Sequence, residues 1–291
     1  MKNVKTGHAK PIVCLDAGHY GKYNRSPVVP AYYESDMNWK LHRMLKEELE
    51  KYPIQVRTTR ADKDKDLDLV PRGNTSSGCD LFLSLHSNAA DTESAKYVVA
   101  MYQVDDNCGD IDAQSKAVAA ILAKTVGETM DLPYQTWSTK SSKDRDGNGY
   151  KDDYYGVLRG AHSVGTAGVI IEHGFHTHTA TAQWLLQDSN LRKLAEAEAK
   201  AIADWFGVSK LPKKTPTVTV TLPVIYPYDK NEHVEAMQAL LIGYGYSCGP
   251  EGVDGSCGGA TQKALKQYQR DSELEVDGKC GPATWKSLLK Q

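Results

Sequence analysis

The sequence predicts an α/β fold: a twisted, mostly parallel sheet flanked by helices, with a separate small helical module after it. Short apolar runs alternate with amphipathic helical patterns through the first two-thirds of the chain. This alternation stops near Gly207, and a duplicated segment follows close to the C terminus. Strands that alternate with helices usually pair in parallel, because each helix carries the chain back to the same end of the sheet.

The apolar runs are short, as expected for buried strands. The predicted strands are PIVCLD at 11–16, QVRTT at 55–59, LFLSL at 81–85, YVVAMYQV at 97–104 and AGVIIE at 167–172. Amphipathic helices are predicted at about 35–51, about 112–130 and about 190–206. Apolar side chains recur on one face of the first helix, and Pro53 lies just beyond its end, where a helix stops readily.

After Gly207 the composition changes. Residues 208–230 are rich in Pro, Thr and Lys and have no helical period, which is typical of a linker. Residues 231–291 contain a repeat, VDGSCGGATQKAL at 253–265 and VDGKCGPATWKSL at 276–288, in which nine of thirteen positions are identical. Each copy begins with an Asp-Gly turn and enters a helix. We therefore predict a first domain at 1–207, a linker at 208–230 and a second domain at 231–291.

Composition excludes several classes of protein. Of the 291 residues, 40% are apolar and 25% are charged, which is typical of a soluble globular chain and not of a disordered or fibrous one. The net charge of −2 provides no basic field for nucleic acid. No apolar stretch is long enough for a membrane span. The N-terminal segment shows no apolar signal region, so we expect synthesis in the cytoplasm.

The six cysteines form no CxxC pair, and the chain is long enough to bury a core without disulfides. We therefore interpret them as reduced and mostly buried thiols. Cys257 and Cys280 occupy equivalent positions of the repeat, where buried thiols acting as small apolar groups are favoured over a disulfide.

Polar residues with catalytic chemistry follow three of the predicted strands. PIVCLD runs into His19, LFLSL into His86, and AGVII into Glu172. Ligands bind outside the carboxyl ends of parallel strands, so these side chains meet if their strands are neighbours. A fourth candidate, Glu34, lies just before the first helix. Two histidines and a glutamate with an open position are a catalytic zinc set, whereas structural zinc sites are usually closed by four ligands.

Spacing alone leaves two interpretations of these residues open. A single histidine at a strand end is more often a surface residue than a ligand. Glu172, however, follows Val169–Ile171 in a strand expected to be central, where an unpaired carboxylate is costly. It therefore needs a metal, a partner or a catalytic role. HExxH, GxSxG, P-loop and GxGxxG motifs are all absent from the sequence, which removes several competing enzyme classes.

Four segments resemble the motifs of zinc-dependent N-acetylmuramoyl-L-alanine amidases, a family that includes bacterial autolysins and phage endolysins. They are DAGH at 16–19, YYESDMN at 32–38, SLHSNAA at 84–90 and VIIEHGF at 169–175. The resemblance covers about residues 11–206. It implies that His19, Glu34 and His86 bind Zn²⁺ and that Glu172 is the catalytic carboxylate.

The same resemblance implies structural or supporting parts for Arg60 and Arg72. Two positions depart from the family pattern. Ala17 stands where the family often has Pro, and His173 stands where a smaller or neutral residue is common.

The C-terminal repeat resembles the peptidoglycan-binding module of three short helices that many wall hydrolases carry. The matching residues are Val234, Met237–Leu241, Gly243, Tyr244, Asp254, Gly255, Thr261, Tyr268, Gln269, Asp277, Gly278, Gly281, Pro282, Thr284 and Trp285. Both resemblances thus imply the same polymer, peptidoglycan, as the partner. With no signal region in the sequence, they imply a protein made in the bacterial host cytoplasm that acts on the cell wall after release.

Together they imply hydrolysis of the amide bond between N-acetylmuramic acid and L-alanine. Zinc would polarise the amide carbonyl and acidify the attacking water, and Glu172 would carry the proton from that water to the departing amine. Two alternatives stay open on the sequence: a zinc peptidase that acts inside the stem peptide, and a catalytically silent protein that only binds cell wall.

Other residues are weaker candidates. Asp16 either orients His19 or, more simply, caps a turn, and Asn88 either touches substrate or fixes its loop. We expect His42 at the surface of its helix. His173, His176 and His178 are expected in a loop and helix start at the rim of the site.

Residues 144–152 imitate the start of a calcium loop, with oxygen-bearing side chains at positions 1, 3, 5 and 9 and Gly at position 6. Position 12 is Tyr155 instead of Glu, so a solvated loop near the rim is favoured over a calcium site.

Overall fold

The computed structural model describes residues 8–104, 109–145, 147–212 and 221–289. The chain divides into two compact units, Met1–Lys213 and Lys214–Gln291. The limits 1–207, 208–230 and 231–291 stay a prediction.

The N-terminal unit is built on a sheet of six strands within the described residues. The strands are β1 Ile12–Ala17, β2 Gln55–Thr58, β3 Leu81–Asn88, β4 Val98–Tyr102, β5 Tyr134–Trp137 and β6 Gly168–Phe175. Their order across the sheet is β2-β1-β3-β6-β4-β5. Neighbours pair in parallel except β4 and β6, which are antiparallel. The predicted mostly parallel sheet is therefore confirmed, whereas β5 is missing from the prediction because its edge residues are largely exposed and carry no apolar pattern.

Helices cover both faces of this sheet. They are α1 Glu34–Leu49, α2 Leu69–Asn74, α3 Asp110–Met130, α4 Gly156–Ser163, α5 Thr179–Leu185 and α6 Asp188–Phe206. The three predicted helices correspond to α1, α3 and α6. Sequence reasoning misses α2 and α4 and predicts only a helix start for α5, because helices of six to eight residues are too short to show a helical period. Close packing of α2 on α4 requires glycine: a Cβ at Gly160 would lie 2.2 Å from the carbonyl oxygen of Val70.

Side chains of successive strand residues point to opposite faces of the sheet, which gives the unit two apolar layers. Val13, Leu15 and Ile171 pack with α1, α3 and α6 on one face. Phe82 and Ile170 pack with α4 on the other face. This alternation decides which polar side chains near the ends of the strands share a face.

The second unit contains three helices among its described residues, α7 Glu232–Gly243, α8 Gly259–Asp271 and α9 Pro282–Leu289. Their apolar faces enclose a separate core. Ile225, from the segment predicted as linker, is buried in this core, and the carbonyl of Pro223 accepts a hydrogen bond of 2.9 Å from Trp285 Nε1. The stretch 221–225 therefore packs as part of the second unit.

The repeat has a structural explanation in two buried glutamines. Gln238 Nε2 donates to Asp254 Oδ1 at 2.7 Å, and Gln269 Nε2 donates to Asp277 Oδ1 at 2.8 Å. Each glutamine thereby satisfies the Asp-Gly turn of the copy that follows it. Burying an amide is costly unless it is hydrogen-bonded, so the paired residues recur together.

Cys14, Cys79, Cys248, Cys257 and Cys280 are free and buried, as expected for five of the six thiols. Cys108 lies outside the described residues. Burial raises the pKa of Cys280 to about 12. The pKa of Cys14 is also raised, through its hydrogen bond with Cys79 and through burial. Such thiols stay protonated and poorly nucleophilic at neutral pH.

We expect Cys14, Cys257 and Cys280 to resist thiol labelling in the folded protein, because their side chains are shielded from solvent. Peptide mapping after a short exposure to a maleimide at neutral pH measures this directly, and the same reaction in denaturant supplies the control. Modification of these residues within minutes in the native protein would contradict the observed burial.

Among the residues that the structure describes, no helix has both the length and the apolar character required to cross a membrane.

Candidate metal centre and active-site cleft

The sheet order places the three candidate strands side by side, since β3 lies between β1 and β6. His19 follows β1, His86 belongs to β3 and Glu172 belongs to β6, where it is the register partner of His86. Glu34 is the first residue of α1. The structure therefore brings residues that are far apart in sequence to one edge of the sheet.

Three of these residues form a compact donor cluster. One possible ligand atom from each of His19, Glu34 and His86 lies within 4.8 Å of the others. His86 Nδ1 is 2.9 Å from Glu34 Oε1, and His19 Nε2 is 3.2 Å from Glu34 Oε2. The cluster is thus a possible His/Glu metal site, and no other such cluster of three occurs in the ranges that the structure describes.

Glu34 is almost completely buried at the centre of this cluster. Asn24 Nδ2 donates to its Oε2 at 2.6 Å, and the backbone N–H of Ser87 donates to its Oε1 at 3.1 Å. Burial by itself would raise the pKa of Glu34. Hydrogen bonds with His19 and His86 outweigh burial and hold this pKa well below its usual range. The carboxylate is therefore charged at neutral pH.

The loop that carries His19 is held in an unusual conformation. His19 has φ of 60°, in the left-handed region that non-glycine residues seldom adopt. The Arg60 guanidinium donates to the carbonyl of Ala17 at 2.8 Å and also to the carbonyl of His19. Gly18 cannot carry a side chain here, because a Cβ would lie 2.2 Å from the ring of His86. Arg60 and Gly18 together allow both imidazoles to approach Glu34.

Both interpretations of Asp16 made from the sequence are wrong, because among the described residues its carboxylate is hydrogen-bonded neither to His19 nor to the backbone of a turn. It is fully buried and accepts hydrogen bonds from Thr59 Oγ1 at 2.7 Å and Ser84 Oγ at 2.6 Å. Ser84 Oγ in turn lies 3.1 Å from His86 Nε2. The alternation of side chains along β1 and β3 places Asp16, Ser84 and His86 on one face of the sheet. Asp16 therefore acts on His86, through Ser84.

Glu172 lines a cleft of about 520 Å³ together with His19, His86 and Arg72. Its Oε2 atom is shielded from solvent and has no hydrogen-bond partner among the described residues. Burial, and secondarily the negative charge of Glu34, raises the pKa of Glu172 well above its usual range. The cleft thus holds one unsatisfied carboxyl group close to the donor cluster.

Several histidines differ from their predicted locations. His42 is buried, not at the surface, because its ring packs on Trp39 and its Nδ1 lies 2.9 Å from the Trp39 carbonyl. His173 and His176 are also buried instead of lying on the rim. His173 alternates with Glu172 along β6 and therefore points to the opposite face of the sheet. His178 does start a helix: it caps α5 by accepting a hydrogen bond from the N–H of Thr181.

Two loop predictions concern the surroundings of the cleft. Asn88 stabilises its own loop, since its Oδ1 accepts from the N–H of Ala89 and its carbonyl accepts from the N–H of His176. Asp144 is exposed and its carboxylate accepts from the N–H groups of Gly147 and Gly149. These contacts fold the loop around Asp144, and the expectation of a solvated loop stays a prediction. Asp146, a proposed ligand of that site, lies outside the described residues.

Sequence reasoning missed Asn24 and Ser84 as parts of the site. Ser84 had a usable signal, because it lies two residues before His86 and a strand places such residues on one face. Asn24 had none: an asparagine in a polar loop is common, and only the folded loop brings its Nδ2 to 3.1 Å from His19 Nε2.

Comparison with protein families identifies the N-terminal unit. The model of the N-acetylmuramoyl-L-alanine amidase family matches residues 13–204, about two-thirds of the chain. The chain belongs to this family. The model of a peptidoglycan binding domain matches residues 230–288 of the amidase. Comparison with curated proteins gives no match.

Solved structures with a similar fold include three other proteins. The catalytic domain of CwlV, an N-acetylmuramoyl-L-alanine amidase from Bacillus (Paenibacillus) polymyxa var. colistinus, is 19% identical, with a TM-score of 0.56 over 68% of this chain and 99% of that one. An N-acetylmuramoyl-L-alanine amidase from Clostridium difficile 630 is 23% identical, with a TM-score of 0.56 over 68% and 97%. AmiC2 of Nostoc punctiforme, another such amidase, is 22% identical, with a TM-score of 0.55 over 69% and 99%. These similarities show a shared fold.

Family membership establishes the reaction class. The amidase hydrolyses the bond between N-acetylmuramic acid and L-alanine in peptidoglycan, and peptidoglycan is its partner at the cell wall. The family, the fold class and the enzyme class expected from the sequence are confirmed.

Proposed function

We propose that the amidase is zinc-dependent, with His19, Glu34 and His86 as the ligands of Zn²⁺ and Glu172 as the catalytic carboxylate. The observation that carries this proposal is the cluster of two imidazoles and one buried carboxylate on the cleft that also contains Glu172. Two nitrogen donors and one oxygen donor are a typical catalytic zinc set, which leaves a coordination position open for water or substrate.

Neighbouring residues orient these donor side chains through hydrogen bonds. The hydroxyl group of Ser84 donates a hydrogen bond to Asp16. The oxygen of this hydroxyl can therefore accept a hydrogen bond from the Nε2–H of His86. With Zn²⁺ bound, that arrangement keeps the proton on Nε2 and would leave the lone pair of His86 Nδ1 for the metal, in place of the hydrogen bond with Glu34. Hydrogen bonds to the second nitrogen of a ligand histidine set its tautomer and orientation in many metal sites. Asn24 supports the cluster from the opposite side, through Glu34 Oε2.

Zn²⁺, when bound, supplies a Lewis acid that polarises the amide carbonyl and makes water easier to deprotonate. The protein supplies the proton transfer. Glu172 accepts a proton from the attacking water and delivers it to the amine nitrogen of the departing L-alanine, while the oxygen of that water completes the lactyl carboxylate. The unpartnered Oε2 of Glu172 suits this role, because no other group in the described structure competes for the proton.

We further propose that the predicted domain at 231–291 holds the enzyme on peptidoglycan. Its own apolar core supports a separate binding role, since this core is built from its own helices and the segment that precedes them. Substrate binding would then persist when the N-terminal unit is inactive.

Removal of metal from the full-length protein tests the proposed function. We expect a zinc chelator to abolish release of L-alanine amino termini from purified cell walls, and added Zn²⁺ to restore it. Dinitrophenylation of new amino groups followed by hydrolysis identifies the released residue. Sedimentation with wall fragments serves as the control and should be unchanged by the chelator.

Other outcomes of this experiment contradict the proposal in different ways. Full activity without metal would overturn the zinc dependence. New amino groups on residues inside the stem peptide would instead indicate a peptidase. Loss of sedimentation together with activity would show that wall binding requires the metal.

A further inference from the structure

A buried polar pair connects β6 to α6 on the face of the sheet that lies opposite the cleft. His173 Nε2 is 3.3 Å from Glu198 Oε1, and both side chains have 0% exposure. The second oxygen of Glu198 has no hydrogen-bond partner among the described residues. Because the pair lies on the opposite face, it cannot touch a substrate in the cleft.

His173 also reaches the backbone of a proposed metal ligand. Its Nδ1 lies 2.9 Å from the carbonyl oxygen of His86, so a proton on Nδ1 makes a hydrogen bond across β6 and β3. Glu198 on α6 then holds the other side of the same ring. The result is a continuous connection from α6 through two side chains to the main chain of His86.

This connection is located where the strand pairing is irregular. His86 pairs with Glu172, but the next pair is Asn88 with Phe175. Between these two pairs the chain advances by two residues on β3 and by three residues on β6, so β6 contains one extra residue. Gly174, within the extra stretch, has φ of 73°. Such bulges interrupt the regular ladder and re-aim neighbouring side chains. Backbone pairing alone therefore determines the position of His86 less strictly than it does elsewhere in β3.

We propose that His173, held by Glu198, is a positioning residue that fixes the main chain at His86 and so maintains the geometry of the zinc ligands. This inference rests on the proposed zinc site. The surroundings of the pair support a role beyond stability, because Ile171 and Ile202 in the same layer are apolar and fully buried. Buried ion pairs can often be replaced by apolar residues with no loss of stability.

Zinc affinity, measured separately from stability, tests this role in the full-length protein. We expect the double substitution His173→Leu and Glu198→Leu to weaken Zn²⁺ binding about 10-fold, the lower end of the range for residues that orient metal ligands. The melting temperature of the metal-free protein should fall only slightly, because the two paired side chains are removed together and only the carbonyl of His86 loses a partner. Competition with a chromophoric chelator gives the affinity, and circular dichroism gives the melting temperature.

Two further variants sharpen the measurement. Glu198→Gln keeps a hydrogen-bonding partner for His173 and should bind Zn²⁺ like the wild type, whereas Glu198→Leu should bind more weakly. His42→Leu is the matched control: His42 is also a buried histidine bonded to a backbone carbonyl, but that carbonyl belongs to Trp39, outside the proposed ligand set. Its Zn²⁺ affinity should be unchanged.

The outcomes separate this inference from the proposed function. If the wild type binds no Zn²⁺, the proposed zinc site fails. If the wild type binds Zn²⁺ and the double variant binds it equally well, the positioning role of His173 is wrong. If the double variant does not fold, the comparison of Glu198→Gln with Glu198→Leu decides, and equal affinities in those two variants overturn the inference.

Discussion

Replacing Glu172 with Gln should lower the rate of amide hydrolysis by about 10²–10⁴, the usual contribution of a general acid-base group. The amide has nearly the same shape as the carboxyl group but cannot take a proton from water and return it to the leaving amine. The strand should tolerate the change, because the side chain stays polar and no described residue depends on Oε2 for a hydrogen bond. Release of L-alanine amino termini measures the rate.

Zinc content distinguishes this expectation from a loss of metal. Glu172 is outside the donor cluster of His19, Glu34 and His86, so the variant should retain Zn²⁺ at the wild-type ratio. Glu48→Gln is a matched control, because Glu48 on α1 is also buried but pairs with Lys51, which follows α1, away from the cleft. A Glu172→Gln enzyme that stays fully active would remove Glu172 from the mechanism.

Replacing His86 with Ala should abolish both zinc binding and activity. The imidazole supplies one of three proposed ligands, and its Nδ1 is the nearest histidine nitrogen to Glu34, at 2.9 Å. Loss of a direct ligand should exceed the 10- to 100-fold weakening that follows loss of a residue orienting a ligand. Metal analysis by mass spectrometry and end-group analysis on the same sample measure both effects.

The control for this substitution is His178→Ala. His178 caps α5 and is outside the donor cluster, so its loss should leave the zinc content intact. If the His86→Ala protein keeps a full complement of Zn²⁺, His86 is not a ligand. If it loses Zn²⁺ but hydrolyses walls at the wild-type rate, the reaction does not require the metal.

A candidate functional residue could be predicted from the sequence where a side chain able to bind a metal or transfer a proton stands next to a recognisable strand or motif. His19, His86 and Glu172 each stand at or beyond the polar end of a short apolar run, and such runs form buried strands because apolar side chains are excluded from water. Glu34 was predictable from its motif. These residues belong to one site only if β1, β3 and β6 are neighbours, as the sheet order places them.

Other features had no signal in local sequence. Two short helices of the N-terminal unit, α2 and α4, are stabilised by packing against the rest of the unit, since segments of this length are not stable helices alone. Burial of His42 and His176 also depends on distant elements, because a histidine is equally compatible with a surface and with a satisfied interior position.

Sequence by itself determined five strands and the three long helices of the N-terminal unit, the duplicated C-terminal turn and the identity of the residues able to bind a metal, because these depend on side-chain chemistry and on periodicity along the chain. Only the tertiary structure decided that Asp16 acts on His86 through Ser84, and that His173 joins Glu198 to the backbone of His86. Those contacts join residues from different strands and helices. Which residues become partners depends on the register of the strands and on the face of the sheet to which each side chain points. The sequence of a single segment determines neither its register nor its face.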